Sequence, residues 1–472
     1  MADPNIIAYM MLLVWPVVAW QLYTRLDPAR ALIWTVLGGY LVLPPVASIA
    51  FPVIPDFDKS SIPNLMALLL SVLVLKDRIG FLPVGIFGRL LIGLFVLSPL
   101  ATVLTNGDVL RLHHNHTIPA MQTYDILAVS TNQLIYLLPF FLARRYLASA
   151  DSLRLVLMAL VGAGVVYSFP MLIEARLSPQ LNVWIYGFFQ HDFNQSIRSG
   201  GFRPIVFLQH GLWVAFFALM ALASSLVILR TAPPEDRPRW MMIVLWLAFA
   251  LVICRSLGPM LYAAALTPAL LVLPRRLQLS IAALIACIVI VYPMLRGAHL
   301  IPLDQIVAFA DGISTDRSGS LAYRITNEEL LLTRAAERPW FGWGGYGRNL
   351  IHDIETGELL TVADGEWILR IGNYGWLGYI AEFGLLGLPL IALAREALSK
   401  RGADLSPYAC GMALILAFNM VDMLPNATLI PFTWLLAGAL LGYAETLATE
   451  RRAERNARWL ASLDPRPQRT VI

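Results

Sequence analysis

IVFLQHGLWVAFFALMALASSLVIL, residues 205–229, runs for twenty-five positions without an Asp, Glu, Lys or Arg. A helix needs about 20 mostly apolar residues to cross roughly 30 Å of hydrocarbon, so the stretch reads as a transmembrane span. Comparable runs lie at 6–23, 31–51, 62–75, 90–105, 126–143 and 155–173 before it, and at 240–255, 259–273, 279–296, 371–394, 407–423 and 428–445 after it, thirteen in all. Of these, 62–75 is short, and 240–255 with 259–273 reads equally as one segment broken at Gly258-Pro259. The whole chain agrees, with 58% hydrophobic and 14% charged residues, where a soluble domain carries about 25% charged residues. The expected fold is an all-α polytopic integral membrane protein of about 12–13 transmembrane helices, with one large extracytoplasmic loop carrying short helices.

The short connections orient the chain, because Lys and Arg accumulate on the cytoplasmic side. One alternate set, from Arg25 and Arg30 to Arg395, Lys400 and Arg401, holds sixteen basic residues; the other holds six, Lys59, Arg111, Arg176, Arg198, Arg203 and Arg255. The first set is expected inside, which puts the N-terminus and the connections 105–125, 174–204 and 298–370 outside. The expected organisation is a bundle segment 1–297, a catalytic loop 298–370, a second bundle segment 371–446 and a basic cytoplasmic tail 447–472. Loops above about 12–15 residues are usually functional or disordered. The 298–370 loop reads as folded, since Ile325, Leu330, Leu331 and Ala335 keep helical spacing and Trp340, Phe341, Trp343 and Tyr346 follow. It is expected to fold over the membrane surface as a lid.

Several classes drop out. A net charge of +4 is the surplus that cytoplasmic loops of membrane proteins carry, so it gives no ground for a nucleic-acid partner. Cys254, Cys287 and Cys410 each sit in an apolar run, where a thiol behaves as a small hydrophobe; no disulfide framework or Cys-x-x-Cys metal site is expected. Run 6–23 lacks a basic n-region and an A-x-A site, and reads as a retained span. His113, His114 and His116 form a His-His-x-His group, but a metal site needs further partners. A solvated loop is expected there, with no metal and no cofactor.

The candidate chemistry lies where the chain leaves the spans. Residues 198–204, Arg-Ser-Gly-Gly-Phe-Arg-Pro, run into the span at Ile205, with Gln209-His210 one turn inside. An Arg beside glycines at a membrane boundary matches an anionic headgroup, its planar fork fitting phosphate bidentately; the structural alternative is a snorkelling side chain. Arg255, in Cys254-Arg255-Ser256-Leu257-Gly258-Pro259, stands at a turn between two apolar segments, and charges at membrane depth are costly and usually functional. In the large loop come Tyr323-Arg324, then Arg338-Pro-Trp-Phe-Gly-Trp-Gly-Gly-Tyr-Gly-Arg348, then Asp364-Gly-Glu366-Trp367-Ile-Leu-Arg370. The glycine run is not a nucleotide loop, because no strand precedes it and no Walker lysine follows. Aromatic rings among charged groups suit a sugar, or pack the loop against the membrane interface.

In this order, with Glu382-Phe-Gly-Leu-Leu-Gly387 in the next span, these elements resemble the O-antigen ligase and polymerase family over roughly residues 195–390. The resemblance implies a metal-independent, inverting glycosyltransferase whose donor is an undecaprenyl-diphosphate-linked oligosaccharide in the bacterial inner membrane. It implies that Arg203, Arg255 and Arg324 hold the diphosphate; read from the residues themselves, Gln209, His210 and Trp367 are further substrate-binding candidates. Where the family places a His as base, this chain has Asp364-Gly-Glu366, so Asp364 and Glu366 are the base candidates with His352 in reserve. A developing leaving-group charge needs preorganised cations, and an acceptor hydroxyl needs a base within reach. The leading expectation is a polysaccharide polymerase working with membrane lipid and with chain-length regulator or flippase proteins. Its alternatives are a ligase of the same family and a flippase. A flippase predicts discontinuous helices in two repeated halves, and no repeat is visible.

Overall fold

The structure, a computed structural model, describes residues 3–50, 55–112, 117–198, 200–312, 315–399 and 405–463. The first part carries α1 (Ile6–Arg25), α2 (Pro28–Val42), α3 (Ser61–Leu73), α4 (Ile86–Leu104), α5 (Thr123–Tyr146), α6 (Ala150–Leu177) and the short α7 (Leu181–Tyr186). Then come α8 (Gly211–Thr231), α9 (Arg237–Ile253), α10 (Leu257–Leu271) and α11 (Arg275–Gly297). The large loop contributes α12 (Leu303–Asp311) and α13 (Thr315–Ala336), and α14 (Glu366–Leu398), α15 (Pro407–Asp422) and α16 (Pro431–Leu463) close the bundle. Two antiparallel hairpins decorate the connections, β1 (Leu110–Arg111) with β2 (Thr117–Ile118) and β3 (Ile197–Arg198) with β4 (Gly201–Phe202). The fold is all-α, and each of the thirteen apolar runs contains a helix.

Among the described residues, seven helices are long and apolar enough to cross a membrane: α1, α4, α5, α6, α8, α11 and α14; α2, α3, α10 and α15 are shorter apolar helices. The faces of α1 show what surrounds the protein. Ala8, Leu12, Trp15 and Ala19 are buried on one side, while Ile6, Met10, Leu13, Val17 and Trp20 are exposed on the other. A helix apolar all round, yet exposed along one stripe, belongs in lipid, so the chain is a membrane protein. The apolar stretch of α8 is 89% buried against 28% for α1, which sets α8 at the centre, packed by α6, α9, α10 and α15. Lipid supplies no hydrophobic drive between helices, so close packing of small residues takes over. Gly438 and Gly442, a Gly-x-x-x-Gly pair on α16, lie so near the Phe140 and Arg144 carbonyls of α5 that a Cβ would fall 2.1 and 2.4 Å from them.

Several expected limits move. The run 31–51 is helical only to Val42, because Pro44 and Pro45 cannot donate to a continuing helix and the Leu43 carbonyl goes to Lys59 at 2.9 Å. The run 205–229 begins its helix at Gly211, so Gln209 and His210 stand before the helix and not inside it. Runs 240–255 and 259–273 are two helices, turned at Arg255 with a left-handed φ of 51°. The expected boundaries at 370 and 446 fall within α14 and α16.

One junction fixes the large loop. At Gly375 (φ 63°) α14 breaks, which frees backbone groups that must be paired again. The Pro339–Gly344 stretch supplies the partners: Trp343 and Gly344 N–H donate to the Gly372 and Asn373 carbonyls (2.8 and 2.9 Å), and Trp376 N–H donates to the Pro339 carbonyl (2.8 Å). The contact is backbone on backbone, since a Cβ on Gly342 would lie 2.5 Å from the Asn373 carbonyl carbon and one on Gly375 2.3 Å from that of Trp340. Arg348, fully buried, ties the same segment to the Asp108 and Pro119 carbonyls at 2.8 and 2.9 Å.

Candidate functional site

Residues 203–210 are non-helical backbone leading to the most enclosed helix, and buried polar side chains hold them. Glu174 accepts the Ile205 and Val206 N–H groups at 2.8 and 2.7 Å, and Tyr167 accepts Phe207 N–H at 3.2 Å. Gln190 donates to the Val206 and Leu208 carbonyls, both at 3.0 Å, and Lys59 to the Phe207 carbonyl at 2.5 Å. Burial holds the Lys59 ammonium well below its usual range. Val206, a β-branched residue, is forced to a left-handed φ of 53°. Such strain persists only where the surroundings over-determine the backbone.

The cradle presents Arg203. Its side chain is 4% exposed, its Nη2 donates to Ser256 Oγ at 2.6 Å, and its Nε is buried with no partner. Among the described residues Arg203 forms no ion pair. Burial first, then the neighbouring charges of Arg198 and Arg324, draws its pKa down to about 10. Arg255 is adjacent through Ser256: it donates to the Arg198 carbonyl at 3.2 Å, and its guanidinium lies over Gly201, where a Cβ would meet Nη2 at 2.4 Å. The charge of Arg324 on α13 acts on both Arg203 and His210, while its guanidinium bonds the Pro425 carbonyl and Asn426 Oδ1. Arg203, Arg255 and Arg198 thus come together, and the charge of Arg324 reaches Arg203.

The other candidates divide. His210 is half-buried and caps α8, while Gln209 is exposed; Gln190 is the glutamine that orders the segment. Asp364 pairs with Arg324 at 3.3 Å. Glu366 pairs with Arg370 at 2.7 Å, and Arg370 also meets the fully buried Glu382 at 3.0 Å, so Glu366 belongs to the interior of the bundle. Trp367 is fully buried against Tyr292 and donates to Glu328 at 3.3 Å. His352 meets the Gly347 carbonyl at 3.0 Å and lines a cavity of about 410 Å³ with Leu110, Thr333, Arg334 and Glu337, which shares no lining residue with the arginine cluster. Trp343 is buried between Arg334 and Arg338, whose guanidinium carbons lie 3.4 and 4.2 Å from the ring centre, whereas Trp340 and Tyr346 are exposed. His113, His114 and His116 lie outside the described residues.

Sequence reasoning passed over Glu328, one helical turn beyond Arg324. Arg296 of α11 anchors this part of α13, reaching Glu329 at 3.2 Å and Glu328 at 4.0 Å. Burial pushes the Glu328 carboxyl up to about 7, against the opposing effects of Trp367, Arg296 and Arg324. A carboxyl poised near neutrality beside a cation cluster can exchange protons, as a general base must. Its only sequence signal was the i, i+4 spacing from Arg324. Among the described residues no three His, Cys, Asp or Glu side chains gather as a metal site. Compared with known proteins, the chain matches no family model, and none of the curated proteins is similar to it.

Proposed function

We propose that this protein is a membrane glycosyltransferase that polymerises polysaccharide repeat units carried on undecaprenyl diphosphate, at the outer face of the bacterial inner membrane. The observation that supports this reading is Arg203: a buried guanidinium with an unpartnered Nε and, among the described residues, no carboxylate, beside Arg198 and Arg255 and within the field of Arg324. A cation out of water without a counter-ion is costly, and a diphosphate arriving from the headgroup region supplies the missing charge. In this reading about 12–13 spans cross the bilayer, the N-terminus is outside, and 174–204 and 298–370 face the periplasm.

The arginines then stabilise charge on the departing diphosphate, an effect worth about 100-fold or more per preorganised donor. Glu328 takes the proton of the acceptor hydroxyl, while Asp364 sets the Arg324 fork. Deleting the protein and analysing the surface glycan with its lipid-linked precursors tests the reading. Single repeat units accumulating on lipid is the expected result. Long chains retained on lipid would make it a ligase, and precursors trapped in the cytoplasm a flippase.

A further inference from the structure

The residues around Arg203 also decide which ionic form of a ligand is accepted. His210 Nδ1 accepts the Leu212 N–H at 3.0 Å, so that nitrogen carries a lone pair and the proton of the neutral ring sits on Nε2. Burial, followed by the charge of Arg203 and its neighbours, holds the ring pKa down near 3. His191 is fixed in the same sense: its Nδ1 accepts the Asp192 N–H at 2.7 Å, and the two rings lie 4.4 Å apart. The Arg203 side chain presses on Gly211, the first residue of α8, where a Cβ would lie 2.7 Å from both Cδ and Nε. The guanidinium therefore lies across the N-terminus of a helix of 21 residues, where the dipole favours anions. Ser256 adds no donor, since its hydroxyl proton goes to the Cys254 carbonyl at 3.1 Å while its oxygen receives Arg203.

We infer that His210 and His191 present Nε2–H donors to the oxyanion bound by Arg203 at the start of α8, making a donor-rich seat that favours fully ionised diphosphate. This rests on the diphosphate role proposed for Arg203. A protonated oxyanion would set a P–OH against an N–H, losing a hydrogen bond and leaving a donor unmatched. The diphosphate diester that joins an isoprenoid to a glycan has no P–OH and suits the seat throughout the physiological pH range. The monoester released by glycosyl transfer does carry a proton below neutrality, and is held less well.

Symmetrical dimethyl diphosphate, a diester with no P–OH, titrated calorimetrically into the full-length protein in detergent micelles, is the probe, and inorganic pyrophosphate, which keeps a proton at neutral pH, is expected to bind less well. Asn at position 210 keeps an acceptor for the Leu212 N–H and is a favoured helix cap, but it lacks the Nε2 donor. Gln places an amide N–H near the Nε2 position. The expected result is that His210→Asn weakens binding about tenfold or more while His210→Gln stays near wild type, and that His191→Asn behaves as His210→Asn does. Wild-type affinity in His210→Asn, or equal losses in the Asn and Gln variants, overturns the inference. Arg203→Ala is a separate arm: unchanged binding there refutes the diphosphate reading itself, whereas lost binding beside an unaffected His210→Asn refutes only the histidine roles. Displacement of the dimethyl diphosphate by phosphatidylglycerol as readily as by a diphosphate diester bearing a short isoprenyl chain assigns the seat to bulk lipid and overturns its selectivity.

Discussion

Replacing Gly342 by Ala drives a methyl group into the break of α14. The new Cβ would sit 2.5 Å from the Asn373 carbonyl carbon and 2.6 Å from the Gly375 nitrogen, both backbone atoms with no torsion free to yield. The left-handed φ of 67° adds about 1–2 kcal/mol for a residue with a Cβ. Relief requires the loop to retreat by about 1 Å to an ordinary contact distance. That retreat stretches the Trp343, Gly344 and Trp376 N–H bonds, now 2.8, 2.9 and 2.8 Å, beyond useful length. Each buried group left unpaired costs about 1–3 kcal/mol, so Gly342→Ala is expected to lose roughly 4–11 kcal/mol, comparable to the whole stability of many proteins. Gly345 is the control, with no atom near its Cβ position and no left-handed φ; Gly345→Ala is expected within about 0.5 kcal/mol of wild type. Thermal unfolding in detergent, with limited proteolysis of the loop, reads the difference. Equal melting temperatures for the two variants would refute the account of the break.

Polymer output at matched membrane levels should fall about 100-fold or more in Arg203→Ala, with only partial recovery in Arg203→Lys because an ammonium cannot reproduce the fork. Glu328→Gln should lose about 100-fold or more in rate while remaining folded, whereas His352→Ala should retain output; the reverse pattern would return the base to His352. Asp364→Asn should weaken donor binding through Arg324, and Glu366→Gln should lower the melting temperature by leaving Arg370 short of a partner. The folded Glu328 carboxyl titrates near 7 against an ordinary value of 4.5, so its contribution to stability is complete below about pH 4.5 and lost as pH rises through 7; Glu328→Gln should flatten that part of the stability profile. A cysteine at the exposed Gly312 should react with a membrane-impermeant reagent in intact cells, and labelling only after permeabilisation would reverse the assigned orientation.

Helix positions were legible because an apolar run about 20 residues long has one solution in lipid. Their ends were not, where long-range partners set them. Nothing local marks residues 205–210 as non-helical, since Glu174, Gln190, Tyr167 and Lys59 come from four distant places. Lys59 illustrates the limit of counting charges: scored as a loop cation, it is 6% exposed and serves two carbonyls. The arginines could be named because charge beside an apolar run is costly without a reason. Trp367 misled for the opposite reason, since a Trp beside acidic residues looks like a sugar platform until its burial is known. Glu328 stayed hidden because Asn327-Glu328-Glu329 resembles the wetted face of an amphipathic helix.

The seam between Pro339–Gly344 and the interrupted α14 also constrains biogenesis. The severed helix exposes carbonyls and amides that hydrocarbon cannot satisfy, and the matching groups lie about thirty residues earlier in the chain. This helix can therefore settle only after the preceding loop has been delivered to the same side and has docked, which makes insertion of α14 and folding of the loop one step. A nascent chain truncated before residue 339, joined to a second fragment beginning at α14, would reach the bilayer with its gap unfilled.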